Sequence, residues 1–266
     1  MLPVYKAISF QRVLEKGGRT KPWLVLVQTG EKVAPYVVKL FETALISEKD
    51  SVSNEVIGNV LAREFQLPVP DAALIDLDED FISTIRDPQL IDVLAEKDDR
   101  LKFGSVLLDG YIRFDPSASL SDVRRMIEID TLFAFDNLIR NPDRNHAKPN
   151  LLVKSNQAYL IDHELGFEIT PDSAGEVTGW QWKDRYFRYH IFYDYLKGTG
   201  HSQKMGYFGE FYEYLKYLDI NILKPFFNQL TDSGFSAAKH DVILGYLADM
   251  KQNSGNFVNL LKGLIS

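Results

Sequence analysis

Short apolar segments separated by glycine and proline make up the first third of the chain. Three follow one another at Ile8–Leu14, Trp23–Val27 and Tyr36–Phe41, with the polar turns EKGGRTKP and GEKVAP between them. β-Branched runs with this punctuation are typical of antiparallel hairpins. The pattern therefore predicts a sheet-rich first region.

A change of hydrophobic period predicts one helix within this region. Between Ser51 and Phe65 the apolar positions recur at helical spacing, which places them on one face. The prolines of LPVP, residues 67–70, end the helix because proline cannot continue it. Ala73–Leu77 and Ser105–Phe114 then return to a strand-like pattern.

Helical periodicity dominates from Leu120 onward. One small hairpin interrupts it, because the apolar runs Leu151–Val153 and Ala158–Ile161 flank a Ser-Asn-Gln turn. The order of elements predicts an α+β, two-lobed protein. Its first lobe, residues 1–115, is an antiparallel sheet with one helix, and its second, residues 116–266, is mostly helical.

Composition narrows the class of protein. The 266 residues carry a net charge of −7 and no cysteine. The negative charge argues against broad nucleic-acid binding, which needs a basic surface. The absence of cysteine excludes disulfides, thiolate catalysis and cysteine-ligated zinc. No apolar run reaches the length of a membrane span. We therefore expect a soluble, cytoplasmic protein that makes no membrane contact.

Two polar clusters lie at the ends of the predicted hairpin. NPDRNHAKPN, residues 141–150, precedes its first strand, and DHE, residues 162–164, follows its second. Asn150 and Asp162 would then lie near the same end of the hairpin and offer the hard oxygen ligands that Mg²⁺ prefers. Asp143 would be the carboxylate left free for an acceptor hydroxyl. Asn and Asp are also common turn formers, so each residue alone is a weak signal.

The first region offers residues for binding phosphate. Lys39 lies in an otherwise apolar predicted strand, and Glu55 lies near the start of the predicted helix, where it could hold the lysine ammonium. Gly17 and Gly18 form the tip of the first hairpin, where backbone N–H groups could cover phosphates. Taken alone, the lysine is more simply explained as a solvent-facing strand residue, the glutamate as an exposed first-turn residue and the glycines as ordinary turn formers.

Taken in order, these segments resemble one known family. GGRTKPWLVLV, YVVKLF, NEVIGNVLAREFQLPVP, DNLIRNPDRNHAKPNLLV and LIDHELGF are similar to segments of the HipA-like kinases, particularly their compact branch, and more distantly to protein and phosphoinositide kinases. The resemblance runs from about Ile8 to Phe167. It implies a two-lobed protein-kinase-like fold that binds ATP and Mg²⁺ between its lobes, with a protein Ser/Thr hydroxyl as acceptor.

The resemblance also implies roles for individual residues. Lys39 contacts the phosphates and pairs with Glu55, Asp143 is the catalytic carboxylate, and Asn150 and Asp162 hold the metal. In many kinases the loop Asn comes five positions after the Asp, where this chain has Lys148. Because an ammonium has no acceptor for a metal, we assign Asn150 instead, with two extra residues bulged around His146 to Pro149. His163 and Glu164 replace the Phe-Gly of many kinases and receive no role.

Two other functions remain open on the sequence. The altered loop spacing would also suit a nucleotide-binding regulator of the pseudokinase type, with little turnover. Asp143, His146, Asp162 and His163 could instead form the site of a metal-dependent hydrolase, since His and carboxylate clusters bind transition metals. The hydrolase leaves Lys39, Glu55 and the glycine turn without a role.

Overall fold

The computed structural model of the protein describes residues 1–14, 21–169 and 186–266. The chain divides into two compact units. The first comprises Met1–Ile57, Pro70–Asp109 and Lys224–Ala237, and the second comprises Gly58–Val69, Gly110–Leu223 and Ala238–Ser266. The units interleave along the chain, whereas the apolar pattern predicts contiguous lobes with one division near residue 115.

Five strands form a closed barrel in the first unit. They are β1 (Val4–Val13), β2 (Trp23–Thr29), β3 (Lys32–Val38), β4 (Ala72–Asp76) and β5 (Lys102–Val106). Their order around the barrel is β1-β2-β3-β5-β4, and only the β1–β4 pair is parallel among these neighbours. The prediction of a purely antiparallel sheet is therefore wrong: the parallel pairing of β1 with β4 closes the sheet and removes its edges.

The barrel interior is filled by the apolar positions of these strands. Val25, Val27 and Val38 are completely buried, as is Ile75. A Cβ on Gly104 would lie 2.6 Å from Cγ1 of Ile75, so a glycine is required where β5 approaches β4 most closely. The apolar segments predicted as strands thus supply inward-facing residues of the first unit.

Four helices lie in the part of the chain between β3 and β5: α1 (Thr43–Lys49), α2 (Ser51–Glu64), α3 (Glu79–Ser83) and α4 (Pro88–Ala95). The helix predicted between Ser51 and Phe65 is confirmed by α2, within which the chain passes from the first unit to the second. The short helices α1, α3 and α4 have too few turns to show a helical period. Aspartate caps begin two of them, with Asp78 accepting from the Phe81 N–H (3.0 Å) and Asp87 from the Gln89 N–H (2.9 Å).

The second unit contains a small sheet of β6 (Ile112–Arg113), β7 (Leu151–Lys154) and β8 (Gln157–Leu160). The β7–β8 hairpin is confirmed, with Leu151 opposite Leu160. The run Ser105–Phe114, predicted as strand-like, is instead divided between β5 and β6 by a turn at Asp109–Gly110. Gly110 has a φ of 74°, which glycine adopts without strain.

Helices form the rest of the described chain: α5 (Leu120–Met126), α6 (Ile129–Leu138), α7 (Tyr193–Lys197), α8 (His201–Lys204), α9 (Gly209–Tyr217), α10 (Lys224–Asp232), α11 (His240–Gln252) and α12 (Ser254–Leu264). Aromatic side chains pack the second unit, where the Phe65 ring stacks on Phe211 (5.1 Å between centroids) and contacts Phe135 (5.6 Å). Among the described helices none has the length and apolarity needed to cross a bilayer. The mixed α and β composition predicted from the sequence is confirmed.

The helix α10 belongs to the first unit although it follows most of the second. Gln229 on α10 exchanges two hydrogen bonds with the backbone of Leu2, at 2.9 Å and 2.7 Å. In the loop that follows α10, the Gly234 carbonyl accepts from Arg100 (2.8 Å), whose guanidinium lies 4.8 Å from the centroid of the Phe235 ring. These contacts explain why Lys224–Ala237 groups with the barrel.

Candidate active site

Lys39 and Glu55 form an ion pair within the first unit. The strand β3 ends at Val38, one residue before Lys39, so the predicted strand to Phe41 is too long. The Lys39 N–H nevertheless still donates to the Phe103 carbonyl (3.0 Å) of β5. The two side chains are 14% and 2% exposed. Lys39 is therefore not a solvent-facing lysine, and Glu55 is not an exposed helix-end glutamate. Charges buried this deeply require partners, and here each is the partner of the other.

The second unit holds Asp143 in a structured loop between α6 and β7. The Asp143 N–H donates to Oδ1 of Asn141 (3.1 Å), which is the side-chain turn that favours Asn at this position. The Nζ of Lys148 lies 3.2 Å from each of the two carboxylate oxygens of Asp143. Lys148 is 42% exposed and Asp143 13% exposed, so the carboxylate is largely enclosed while its cation faces solvent.

The unusual spacing of this loop has a structural basis. Residues 145–148 form a turn in which the Asn145 N–H donates to the Lys148 carbonyl (3.0 Å). The Asn145 Oδ1 accepts from the N–H groups of Ala147 and Lys148, each at 3.0 Å. His146 lies exposed on this turn. The turn accommodates the additional residues between Asp143 and Asn150.

Asn150 lies at the end of this loop, directly before β7. Its side chain is buried, and its Nδ2 donates to the Asp143 carbonyl (3.3 Å) and lies 3.5 Å from Oδ2 of Asp143. The Asn150 carbonyl accepts from the Ile161 N–H (3.1 Å), one residue before Asp162. The backbone therefore brings Asp143, Asn150 and the Ile161–Asp162 peptide into one part of the second unit.

Asn150 and Asp162 share an uncommon backbone conformation. Their φ angles are 48° and 68°, in the left-handed region that Asn and Asp tolerate better than other residues with a side chain. Backbone conformations of this kind are concentrated at functional sites, where the surrounding structure enforces them. The residue types at the two hairpin ends therefore suit both this local geometry and the coordination of a hard cation.

A buried network behind the loop was not found from the sequence. It centres on Asp136 of α6, whose carboxylate accepts from Arg144 Nε (2.6 Å), Asn141 Nδ2 (3.0 Å) and His190 Nε2 (3.0 Å). The Arg144 Nη2 has no hydrogen-bond partner among the described residues. The available signal was an aspartate within the mostly apolar run Leu132–Leu138 of α6. His190 carried no signal because it lies 54 positions away.

The charges of this network follow from its geometry. The His190 Nδ1 accepts from the Phe192 N–H (3.1 Å), so the ring proton resides on Nε2 and is donated to Asp136. Burial lowers the pKa of His190 despite its bond to Asp136, which keeps the ring neutral. Burial alone would raise the pKa of Asp136, but Arg144 and His190 outweigh it and lower that pKa to about 2. Asp136 and Arg144 thus form the single ion pair of the network.

His163, next to Asp162, packs against α2. It is 2% exposed and its ring contacts Phe135 edge-on at 6.2 Å. A Cβ on Gly58 would lie 2.5 Å from Cβ of His163, so only a glycine permits this approach. This packing was not predicted from the sequence, because a helical glycine is not by itself a packing signal. Gly58 is therefore packed against His163, the residue directly after Asp162.

The remaining predicted site residues are distributed as follows. Gly17 and Gly18 lie outside the residues that the structure describes. His146 is exposed and His163 is buried. Within the described chain, the four residues of the hydrolase interpretation do not form a group with close ligand atoms. The buried position of His163 against Gly58 explains why it is not directed toward such a site.

Comparison with known proteins identifies the class of this protein as a kinase. The family model for the HipA-like kinase matches residues 9–204, most of the chain. The chain belongs to the HipA-like kinase family, which supports a kinase-type phosphotransferase. It is also similar to the crystal structure of a Helicobacter pylori proinflammatory kinase, CtkA, with 14% identity over 97% of this chain and 98% of that chain and a TM-score of 0.45. No curated protein matches the sequence.

Proposed function

We propose that the protein is an ATP- and Mg²⁺-dependent phosphotransferase whose acceptor is a protein Ser or Thr hydroxyl. Family membership supports the kinase class. The observation that carries the reaction type is the loop in which Asp143, Lys148 and Asn150 are in contact. A carboxylate that can orient the acceptor hydroxyl, with positive charge near the transferred group, is what phosphoryl transfer to a hydroxyl uses.

In this proposal Asp143 orients the acceptor hydroxyl and accepts its proton. The Lys148 ammonium holds the carboxylate in place and offers positive charge where the transferred phosphoryl group carries its negative charge. Lys39, fixed by Glu55, contacts the ATP phosphates. Gly17 and Gly18 cover the phosphates, an expectation that stays a prediction.

Asn150 and Asp162 would hold the metal. The chemistry of the donors fits Mg²⁺, because an amide oxygen and a carboxylate are hard ligands and Lys148 offers none. When bound, Mg²⁺ supplies positive charge to the ATP phosphates. We further propose the two-lobed organisation of kinases for this chain, with the first lobe ending near residue 115.

A nucleotide-dependent melting experiment tests the proposal. A ligand that binds only the native state stabilises it by about 2.7 kcal/mol at one hundred times its Kd. ATP with Mg²⁺ should raise the melting temperature, and ATP with a chelator should raise it less. The absence of any shift at millimolar nucleotide would contradict the proposal. A shift without phosphoryl transfer would favour the pseudokinase-type regulator instead.

A further inference from the structure

The guanidinium of Arg144 hydrogen-bonds the backbone at two places in the candidate active site. Arg144 follows Asp143 directly in the chain. Its Nη1 donates to the carbonyl of Asn150 and, at 3.3 Å, to the carbonyl of Ile161. Ile161 directly precedes Asp162. Arg144 is thus the chain neighbour of the candidate base. Its side chain hydrogen-bonds the carbonyl of one candidate metal ligand, Asn150, and the carbonyl directly before the other, Asp162.

These hydrogen bonds act on backbone that needs external support. Asn150 and Asp162 both have positive φ angles, which cost free energy and persist only where the surrounding structure enforces them. The Asn150 carbonyl accepts from both Arg144 and the Ile161 N–H. The first carbonyl lies in the peptide that follows the Asn150 Cα and the second in the peptide that precedes the Asp162 Cα, so holding both restricts the direction in which each side chain leaves the backbone.

The other edge of the guanidinium is itself held rigidly. Arg144 is completely buried, and its Nε donates to Asp136, which Asn141 and His190 hold in turn. The planar fork of an arginine can bond a carboxylate on one edge and carbonyls on another, whereas a lysine ammonium has no such fork. A buried ion pair needs additional hydrogen bonds to offset its desolvation, and these carbonyls supply them.

We propose that Arg144 is a positioning residue that sets the geometry of the metal ligands Asn150 and Asp162 and couples it to that of Asp143. The proposal deepens the proposed function and rests on it for the identity of the metal ligands. Arg144 touches neither substrate nor metal in this account. Its effect is exerted through the two carbonyl groups.

The test compares Arg144→Lys with Arg113→Lys, a matched change at an exposed arginine on β6 of the second unit. Phosphoryl transfer is measured against Mg²⁺ concentration at saturating ATP. Replacing groups that orient metal ligands typically weakens metal affinity by about 10–100-fold. We expect the half-saturating Mg²⁺ concentration to rise about 10-fold in Arg144→Lys and to stay unchanged in Arg113→Lys. An unchanged Mg²⁺ dependence in both variants would overturn the proposal.

Amide hydrogen exchange without ligands separates this proposal from the proposed function. In Arg144→Lys, amides in residues 150–162 should exchange faster than in the wild type, while those of α11 and α12 should not. Acceleration spread evenly over the second unit would mean that Arg144 only stabilises the fold. If the wild-type protein showed no Mg²⁺-dependent transfer, the proposed function would be wrong. The exchange pattern would still test whether Arg144 holds residues 150–162.

A wild-type measurement covers the case in which Arg144→Lys does not fold. The Ile161 N–H donates to the carbonyl that Arg144 holds, and the Leu160 N–H donates to the Pro68 carbonyl at 2.8 Å. If Arg144 fixes the Asn150 carbonyl, the Ile161 amide should exchange as slowly as that of Leu160, although Ile161 lies beyond β8. Exchange of the Ile161 amide at the rate of an open loop would contradict the proposal.

Discussion

The Lys148 ammonium lies equally far, 3.2 Å, from the two carboxylate oxygens of Asp143. Counting from Asp143 gives Lys148 the position of the metal-binding Asn in many kinases, yet its chemistry excludes metal ligation. In the proposed mechanism Lys148 instead positions the Asp143 carboxylate that it contacts, and it places a positive charge beside the expected path of the phosphoryl group.

Replacing Lys148 by methionine should therefore slow the chemical step. Loss of one group that stabilises developing charge costs roughly 10²-fold in turnover. We expect Lys148→Met to lower kcat by that order with little change in the KM for ATP, as measured by steady-state kinetics. Lys216→Met, at an exposed lysine of α9, is the control and should leave both constants unchanged. A wild-type kcat for Lys148→Met would remove Lys148 from the mechanism.

Because Gly58 lies so close to His163, we expect Gly58→Ala to destabilise the protein, although Gly→Ala in a helix usually stabilises. Gly→Ala within a helix normally stabilises by about 0.4–1 kcal/mol. At Gly58 the added Cβ would lie 2.5 Å from Cβ of His163, and overpacking of this kind costs about 1–3 kcal/mol. Gly58→Ala should therefore lower the free energy of unfolding, measured with urea.

Gly245 supplies the matched control for that substitution. It lies exposed on α11, and a Cβ there would meet nothing within 4 Å. Gly245→Ala should show the ordinary stabilisation of about 0.4–1 kcal/mol. Equal effects at the two positions would mean that Gly58 is not required for the approach of His163.

Lys39 and Glu55 should act as one unit. Removing either side chain leaves the other without its closest charge, so the second removal should cost less than the first. Residues coupled in this way differ from additivity on the order of 0.5–3 kcal/mol. The measurement is a double-mutant cycle on kcat/KM for ATP with Lys39→Ala, Glu55→Ala and the double variant. Strict additivity would contradict the pairing in the active protein.

The lowered pKa of the buried His190 should make the stability of the protein depend on pH. Its pKa in the folded protein is lowered by burial, so the unfolded chain binds more protons on this residue. The stability that depends on a neutral His190 is fully present above the ordinary histidine pKa of about 6.5. It is lost as the pH falls toward the lowered pKa of His190 in the folded protein. Asp136, Arg144 and His146 are the charged or titratable groups that act on it.

Chemical denaturation across pH 5 to 8 tests this dependence. Relative to His190→Gln, which cannot be protonated, the wild type should lose stability as the pH falls below about 6.5. A constant difference between the two proteins would contradict the assignment of a neutral His190. A difference that grows in favour of the wild type at low pH would mean that its pKa is raised.

Local patterns predicted the hairpin β7–β8 and the helix α2, because turn residues and hydrophobic periods act over a few positions. The parallel β1–β4 pairing was missed because it joins residues some seventy positions apart and has no local signal, as Val4 opposite Leu74 illustrates. The same limit applies to the candidate site. Asp143 and Asn150 were found through their place beside a hairpin, whereas Asp136 and His190 meet only through the tertiary fold.

Transfer of the γ-phosphate from labelled ATP to protein hydroxyls is the most direct measurement of the central claim. We expect transfer by the wild type that requires Mg²⁺. We expect Asp143→Asn to retain the Mg²⁺·ATP-induced rise in melting temperature while its transfer rate falls by about 10²–10⁴-fold. Asp162→Asn should lose both transfer and the Mg²⁺-dependent part of that rise. Wild-type transfer that persists in Asp143→Asn, or no transfer by the wild type at millimolar Mg²⁺ and ATP, would contradict the account.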